Sequence, residues 1–306
     1  MNKLIILLSI LFSITVFAQR NTKNKMEKLI IEQVTKVFQG ADERNWQKVA
    51  AVMDKHVMLD YSSMTGSPGS LLTPEQITSA WATFLPGFDR TNHKLSDFKV
   101  QVKYDVASVT YLGTADHFYN AKVWIVEGSY TTQLKLLNNN WLVTAHTFHF
   151  KQQGGDTTLA SEVSNKMQRL EITEKNRKVV DNFFIALETQ KYEMLKEIFA
   201  ENGKQLNPYS PEGFPKSFEG SENIYKQYSG LTNNFGQMKF PRQIFATEDP
   251  NFFFVKFRGE IEIKAGGKYE NDYIGTFKLE NGKVVEYVEY FNQVLMTKAF
   301  NIDLKW

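Results

Sequence analysis

"YTTQLKLLNNNWLVTAHTFHF", Tyr130–Phe150, lies without a gap over "YIGTFKLENGKVVEYVEYFNQ", Tyr273–Gln293. Tyr meets Tyr, "LKL" meets "FKL", Asn138 meets Asn281 and Phe148 meets Phe291. Each stretch reads as strand, tight turn, strand. Asn281-Gly282 is a strong two-residue hairpin signal because both residues tolerate positive φ, and "NNN" does the same less well. The match extends upstream. "VFQGADERNWQKVAAVM" (Val37–Met53) lies over "FFIALETQKYEMLKEIF" (Phe183–Phe199), both with apolar residues at helical spacing around a break. "EQITSAW" (Glu75–Trp81) lies over "ENIYKQY" (Glu222–Tyr228), and "SVTYLGTADHF" (Ser108–Phe118) falls on the second copy with Gly113 over Gly259. The chain is therefore one unit written twice: helix, helix, short strand, helix, then antiparallel strands.

Outside the copies, "MNKLIILLSILFSITVFAQR" has a basic start at Lys3, an apolar run over Leu4–Phe17, and Val16 and Ala18 before a cut. It reads as a signal peptide, 1–18, which places the mature protein in the periplasm or outside the cell. Domain 1 is expected over 24–153, a polar linker over 154–164 and domain 2 over 165–306. The chain has no cysteine, so it has neither disulfides nor thiolate metal ligands and must rest on its core. Its net charge is +2, and +1 once Lys3 leaves with the signal, which points away from nucleic-acid or membrane-surface partners. The 24 Phe, 13 Tyr and 5 Trp can fill cores or line an apolar cavity.

Helices followed by a curved antiparallel sheet make an α+β cone with a pocket between the layers. The helix-break-helix opening, "HVMLDYSS" or "KQLNPYSP" after it, and the closing strand-turn-strand resemble the nuclear-transport-factor-2-like superfamily. That superfamily includes ketosteroid isomerase, scytalone dehydratase and the SnoaL-like domains. In copy two, "SFEGSENI" (Ser217–Ile224) and "FKLENGKVVEYVEYFN" (Phe277–Asn292) resemble the phenazine-biosynthesis A/B branch. The fold hosts isomerases, dehydratases, cyclases and plain binding domains, so it does not assign an activity. The resemblance implies an acid/base role for Glu289, in the motif that "EYFN" resembles. It also gives Asp60, in "VMLDYSS", a place like that of the isomerase's proton-abstracting aspartate.

His146 lies under Glu289 in the repeat. By strict alternation it shares a face with Leu142, Thr144 and Phe148, while His149 points the other way. His117 follows Val109, Tyr111, Gly113 and Ala115 at two-residue spacing, a face that copy two keeps apolar, with Ile263 over His117. An inward histidine either finds a hydrogen bond in the core or serves a pocket. Asp60 either starts a turn or acts as a base; its copy-two counterpart is read as Asn207, which cannot. Tyr61, Trp81, Tyr111 and Tyr130 are the candidate ring contacts for a ligand. "SSMTGSPGS", Ser62–Ser70, reads as a flexible loop, followed by a Thr73/Gln76 capping box with Pro74 inside it. No metal site and no cofactor motif emerges: there is no "HExxH", phosphate loop or nucleophile elbow.

Two functions follow. The favoured one is an exported binding or accessory protein holding a small hydrophobic ligand. The alternative is a cofactor-free isomerase, dehydratase or cyclase with an Asp/His proton shuttle in domain 1, for which Asp60 and His117 must face one cavity. Trp141 and Val143 alternate with Leu142 and Phe148, and Val284 and Val288 with Val285 and Phe291. Two apolar faces on one strand imply burial on both sides, so the domains are expected to pack as an internal pseudo-dimer.

Overall fold

The structure, a computed structural model, describes residues 23–302. The expected signal peptide lies outside the described residues. The chain divides into two compact units between Met167 and Gln168.

In domain 1 helix α1 (23–42) breaks at Glu43–Asn45, where Arg44 adopts φ 54°, and resumes as α2 (Trp46–Ala50). Ile30, Val34, Val37, Phe38 and Ala41 form its buried stripe at helical spacing. There follow β1 (Met53–Asp60), α3 (Ser62–Thr65), β2 (Ser70–Leu72), α4 (Pro74–Ala82) and four long strands: β3 (Arg90–Lys103), β4 (Val106–Tyr119), β5 (Lys122–Leu137) and β6 (Asn140–Gly155). The sheet order is β2-β1-β6-β5-β4-β3, with β1 parallel to β6 and the other pairs antiparallel. The capping box is present: Gln76 N–H donates to Thr73 Oγ1 at 3.3 Å, and Thr73 N–H to Gln76 Oε1 at 2.9 Å. The loop expected over Ser62–Ser70 instead holds α3, because Asp60 accepts from Ser62 N–H at 2.8 Å and the Ser63 hydroxyl donates to Phe148 O at 2.7 Å.

Domain 2 repeats the plan. Helix α5 (Leu159–Glu188) leads to α6 (Met194–Ile198), β7 (Phe199–Leu206), β8 (Ser217–Glu219) and α7 (Ser221–Gly230). Strands β9 (Phe235–Lys239), β10 (Arg242–Ala246), β11 (Phe252–Ile263), β12 (Lys268–Glu280) and β13 (Lys283–Phe291) follow, and α8 (Gln293–Phe300) closes the described chain. The sheet order is β10-β11-β12-β13-β7-β8, with β9 also on β11. Asn138-Asn139 and Asn281-Gly282 all take positive φ, so both copies turn their last hairpin as the sequence predicts. Arg258 pairs across the outer face with Glu270 at 2.6 Å and Asp272 at 3.3 Å.

Three readings change. The linker expected over 154–164 is mostly structured: β6 runs to Gly155 and α5 starts at Leu159. Leu159 and Val163 are fully buried in the domain 1 core, so the first turns of α5 belong to that domain. The strict alternation on the last strands fails at one-residue bulges. Gln133 pairs with Ala145 but Leu134 with Val143, leaving Thr144 extra; Lys278 pairs with Glu286 but Leu279 with Val284, leaving Val285 extra. His146 thus shares its inward face with Trp141, Val143 and Phe148, not with Leu142 and Thr144. The two apparent apolar faces are largely one inward face shifted by a bulge, and burial on both sides does not follow from these strands.

The repeat is also visible in packing. A Cβ on Gly113 would stand 2.5 Å from Tyr130 Cε2, and one on Gly259 3.1 Å from Tyr273 Cε2. In each copy a glycine on one strand makes room for the tyrosine ring of the next.

Candidate functional site

Each cone encloses a cavity. In domain 1 it measures about 410 Å³ and lies between α1, α4 and the inner face of β3–β6. Tyr61, Trp81 and Tyr130 line it, as do His93 and His117. His93 is the residue sequence reasoning missed. Its Nδ1–H donates to Asp42 Oδ1 at 2.7 Å, and its backbone N–H donates to Asp42 Oδ2 at 2.8 Å. The Thr91 hydroxyl donates to the same carboxylate at 2.7 Å. Burial works against the Asp42 anion, but these bonds and the His93 ring hold its pKa below the ordinary value. A carboxylate on Nδ1 fixes the tautomer and leaves Nε2 as the ring's acceptor.

His117 sits on the neighbouring strand. Thr91 is opposite His117, and His93 opposite Ala115, so the two histidines are diagonal neighbours on the inward face, ring centroids 6.2 Å apart. His117 packs on Trp124 and Phe88, and its Nδ1 has no hydrogen-bond partner. Burial, reinforced by His93, pushes its pKa down to about 4, so it is neutral at pH 7.

His146 and Tyr111 stand behind this wall. Thr132 Oγ1 shares hydrogen bonds with Tyr111 Oη at 2.9 Å and with His146 Nδ1 at 3.0 Å. Neither residue lines the cavity; His146 is buried, and its pKa is likewise pushed to about 4 by burial. His149 lies outside, on Thr131 at 3.0 Å.

Asp60 does not face the cavity. It is on the opposite side of β1 from Val57 and Leu59, and the bonds from Ser62 hold its carboxyl below the ordinary value. The repeat register explains the misplacement. Leu59 pairs with His146, and Leu206 with Val288, one residue before the His146 counterpart Glu289. Asn207 therefore corresponds to inward Leu59, not to Asp60, and a one-residue slip exchanges the faces of a strand.

In domain 2 the cavity is larger, about 600 Å³, and Glu289 lies in its wall. Gln205, Asn207, Tyr228 and Tyr273 join it there. The Tyr287 hydroxyl donates to Glu289 Oε2 at 2.5 Å. Burial raises the Glu289 pKa to about 7, against the lowering effect of that bond. Both protonation states are populated at neutral pH, which suits a group that takes and returns a proton. Gly275 stands opposite Glu289 on β12, and a Cβ there would come within 2.9 Å of the Tyr287 ring. The missing side chain thus allows the tyrosine its position. Burial keeps the Tyr228 and Tyr273 phenols protonated, hence hydrogen-bond donors. Among the described residues no group of three or more His, Asp or Glu side chains is arranged to hold a metal ion.

The two halves match two families. Residues 160–305 match the family described as Phenazine biosynthesis protein A/B, and residues 27–147 the SnoaL-like domain. Phenazine biosynthesis protein PhzA2 of Pseudomonas aeruginosa is 30% identical over 138 residues, 44% of this chain and 85% of that protein. The uncharacterised protein YesE of Bacillus subtilis is 29% identical over 34% of this chain and 72% of its own. Among solved structures, a phenazine biosynthesis-related protein from P. aeruginosa covers 45% of this chain and 93% of its own, with 24% identity and a TM-score of 0.39.

Proposed function

Since the chain belongs to the phenazine biosynthesis protein A/B family through its second domain, with a SnoaL-like first domain, we propose that it binds small, mainly hydrophobic ring molecules and moves protons on them without a cofactor. The observation that carries this reading is Glu289: a carboxyl inside a 600 Å³ cavity, held by Tyr287 and with its pKa near 7. Surrounding phenols can donate to the oxyanion or enolate that forms when a carbon loses a proton. His93, held from behind by Asp42, faces the domain 1 cavity beside His117 and supports the same class of chemistry there, in the role first read into Asp60. Isomerisation and dehydration both reduce to such proton transfers. Where no transfer follows, the same cavities remain ligand-holding sites.

The test is solvent exchange. β-Tetralone, a small bicyclic ketone with acidic α-hydrogens, is incubated with the chain in deuterium oxide and followed by NMR. Exchange faster than in buffer, lowered by Glu289→Gln or by His93→Gln, is expected. A rate that neither substitution changes would remove the proton-transfer reading and leave binding alone.

Two further parts of the reading are proposals. Export rests on the first eighteen residues; protein isolated from its host should begin at Gln19. Pairing of the two sheets within one chain has support only in side chains exposed on outer faces, among them Leu112, Phe254 and Ile274. Light scattering should then give the mass of one chain, and a dimer mass would count against it.

A further inference from the structure

The two copies hold the same tyrosine in opposite positions. "HVMLDYSS" lies over "KQLNPYSP", and the strand register sets Leu59 over Asn207, so Tyr61 corresponds to Tyr209 and Ser63 to Pro211. Tyr61 turns inward. It lines the domain 1 cavity with Met64 and Thr65 of α3, its ring 6.2 Å from that of His146 and 5.7 Å from that of Phe148. Tyr209 turns outward. It is 55% exposed, stands outside the wall of the domain 2 cavity and packs on Tyr290 at 5.6 Å. The residue behind the tyrosine differs accordingly. Glu289 lies in the wall of a cavity of about 600 Å³, whereas His146, at the same repeat position, is 1% exposed and outside the wall of one of about 410 Å³. Ser63 latches the inward position: its hydroxyl donates to Phe148 O at 2.7 Å and accepts from Phe150 N–H at 2.9 Å. Pro211 has no hydroxyl with which to do the same.

His146 is a donor with nothing to donate to. The buried Tyr111 phenol has Thr132 Oγ1 as its partner, so its proton goes there, and Thr132 gives its own proton to His146 Nδ1. A neutral imidazole that accepts at Nδ1 carries its proton on Nε2. That Nε2 is buried without a partner among the described residues, although buried donors are nearly always satisfied. We propose that Tyr61 is a gate latched by Ser63, and that turning it outward, as Tyr209 is turned, extends the domain 1 cavity to His146, whose Nε2–H donates to a carbonyl oxygen of the ligand. The extension adjoins the existing wall, since Phe38 of that wall packs on His93 at 5.2 Å and on His146 at 5.5 Å. Such a site is a minor conformation that its ligand makes the dominant one. The proposal concerns opening and binding, and holds whether or not either cavity transfers a proton.

The chain has no cysteine, so one introduced thiol is read alone. His146→Cys and Val143→Cys replace buried residues of β6, the second opposite Leu134 and away from the gate. Each full-length variant is reacted with a disulfide reagent, dithionitrobenzoate, under native conditions. Adding Ser63→Ala should speed the reaction at position 146 by about tenfold and leave position 143 unchanged, because local opening and global unfolding are separate events. A general loosening of the fold would speed both alike. In the chain that keeps His146, 2-acetylnaphthalene and 2-ethylnaphthalene, which differ in one acceptor oxygen, are titrated against ¹³C-labelled methionine methyls and read at Met64 in the cavity wall. The ketone should bind roughly fivefold more tightly, the effect of one hydrogen bond, and His146→Phe should abolish that advantage while leaving the hydrocarbon unchanged. No acceleration at position 146, equal acceleration at both positions, no saturable shift from the ketone, or an advantage that survives His146→Phe would overturn the proposal.

Discussion

Asp42 and His93, 51 residues apart, are tied by two hydrogen bonds to one carboxylate, one from the imidazole at 2.7 Å and one from the histidine's own backbone at 2.8 Å. The double attachment fixes the ring's position and its tautomer. In ¹⁵N spectra of the imidazole, His93 should show the Nδ1–H tautomer alone. Asp42→Asn offers the ring either an oxygen or an N–H, and should give a mixture. Turnover in domain 1 should then fall by roughly 10²–10⁴ if His93 is its base. A single unchanged tautomer in the variant would refute the role given to Asp42.

His117 and His146 make domain 1 acid-sensitive. Each has a folded pKa of about 4 against 6.5 when unfolded, so the unfolded chain binds protons first. Their stabilising effect is complete above pH 6.5 and is lost progressively down to pH 4. Between pH 6.5 and 5 each should cost about 2 kcal/mol. Urea unfolding at the two pH values should show this, and His146→Phe should remove its half of the slope. An unaltered slope in that variant would contradict a neutral buried His146.

Glu289 acts in the opposite sense. Its folded pKa, about 7, lies above the unfolded value of 4.5, so its contribution is complete below pH 4.5 and is lost as pH rises to 7 and beyond. Glu289→Gln should therefore make domain 2 more stable at pH 8, by up to about 3 kcal/mol, with little effect at pH 4. Equal effects at both pH values would argue that the carboxyl titrates normally.

Gly113→Ala and Gly259→Ala form a graded pair. The new methyl would stand 2.5 Å from Tyr130 in the first case and 3.1 Å from Tyr273 in the second. Overpacking of this kind costs about 1–3 kcal/mol, and the larger loss should fall on Gly113→Ala. Melting temperatures of the two variants check the order.

These features differ in how openly the sequence carried them. Gly113 over Gly259 and Tyr130 over Tyr273 were legible because the copies align without gaps there, and the Thr73/Gln76 box because its signal is local. The Thr144 and Val285 bulges were not, since an inserted residue leaves no mark in composition and still inverts every face after it. Asp60 was read as inward through the same sensitivity to a single residue. The Asp42–His93 contact joins a helix end to a distant strand, and no spacing rule reaches that far. The one available signal was His93 itself, two residues from Thr91 on a strand whose partner carries His117. Glu289 was found because it stood in a motif, and alternation alone puts Tyr287, two residues before it, on the same face; the Val285 bulge was needed only to bring that face into line with buried Val284.

Helix α5 starts inside domain 1 and ends as the first helix of domain 2. Leu159 and Val163 are fully buried in the first core, and side chains of Val163 and Met167 seat against Gly87. During synthesis, then, the first cone cannot finish when its last strand emerges at Gly155; it must wait for the start of α5, Leu159 to Met167, about two and a half helical turns. A ribosome-bound chain ending at Gly155 should remain protease-sensitive, whereas one extending to Met167 outside the exit tunnel should already protect Trp124 and its neighbours. The duplication thus left the two halves unequal in time, with the start of the second helix needed to close the first core.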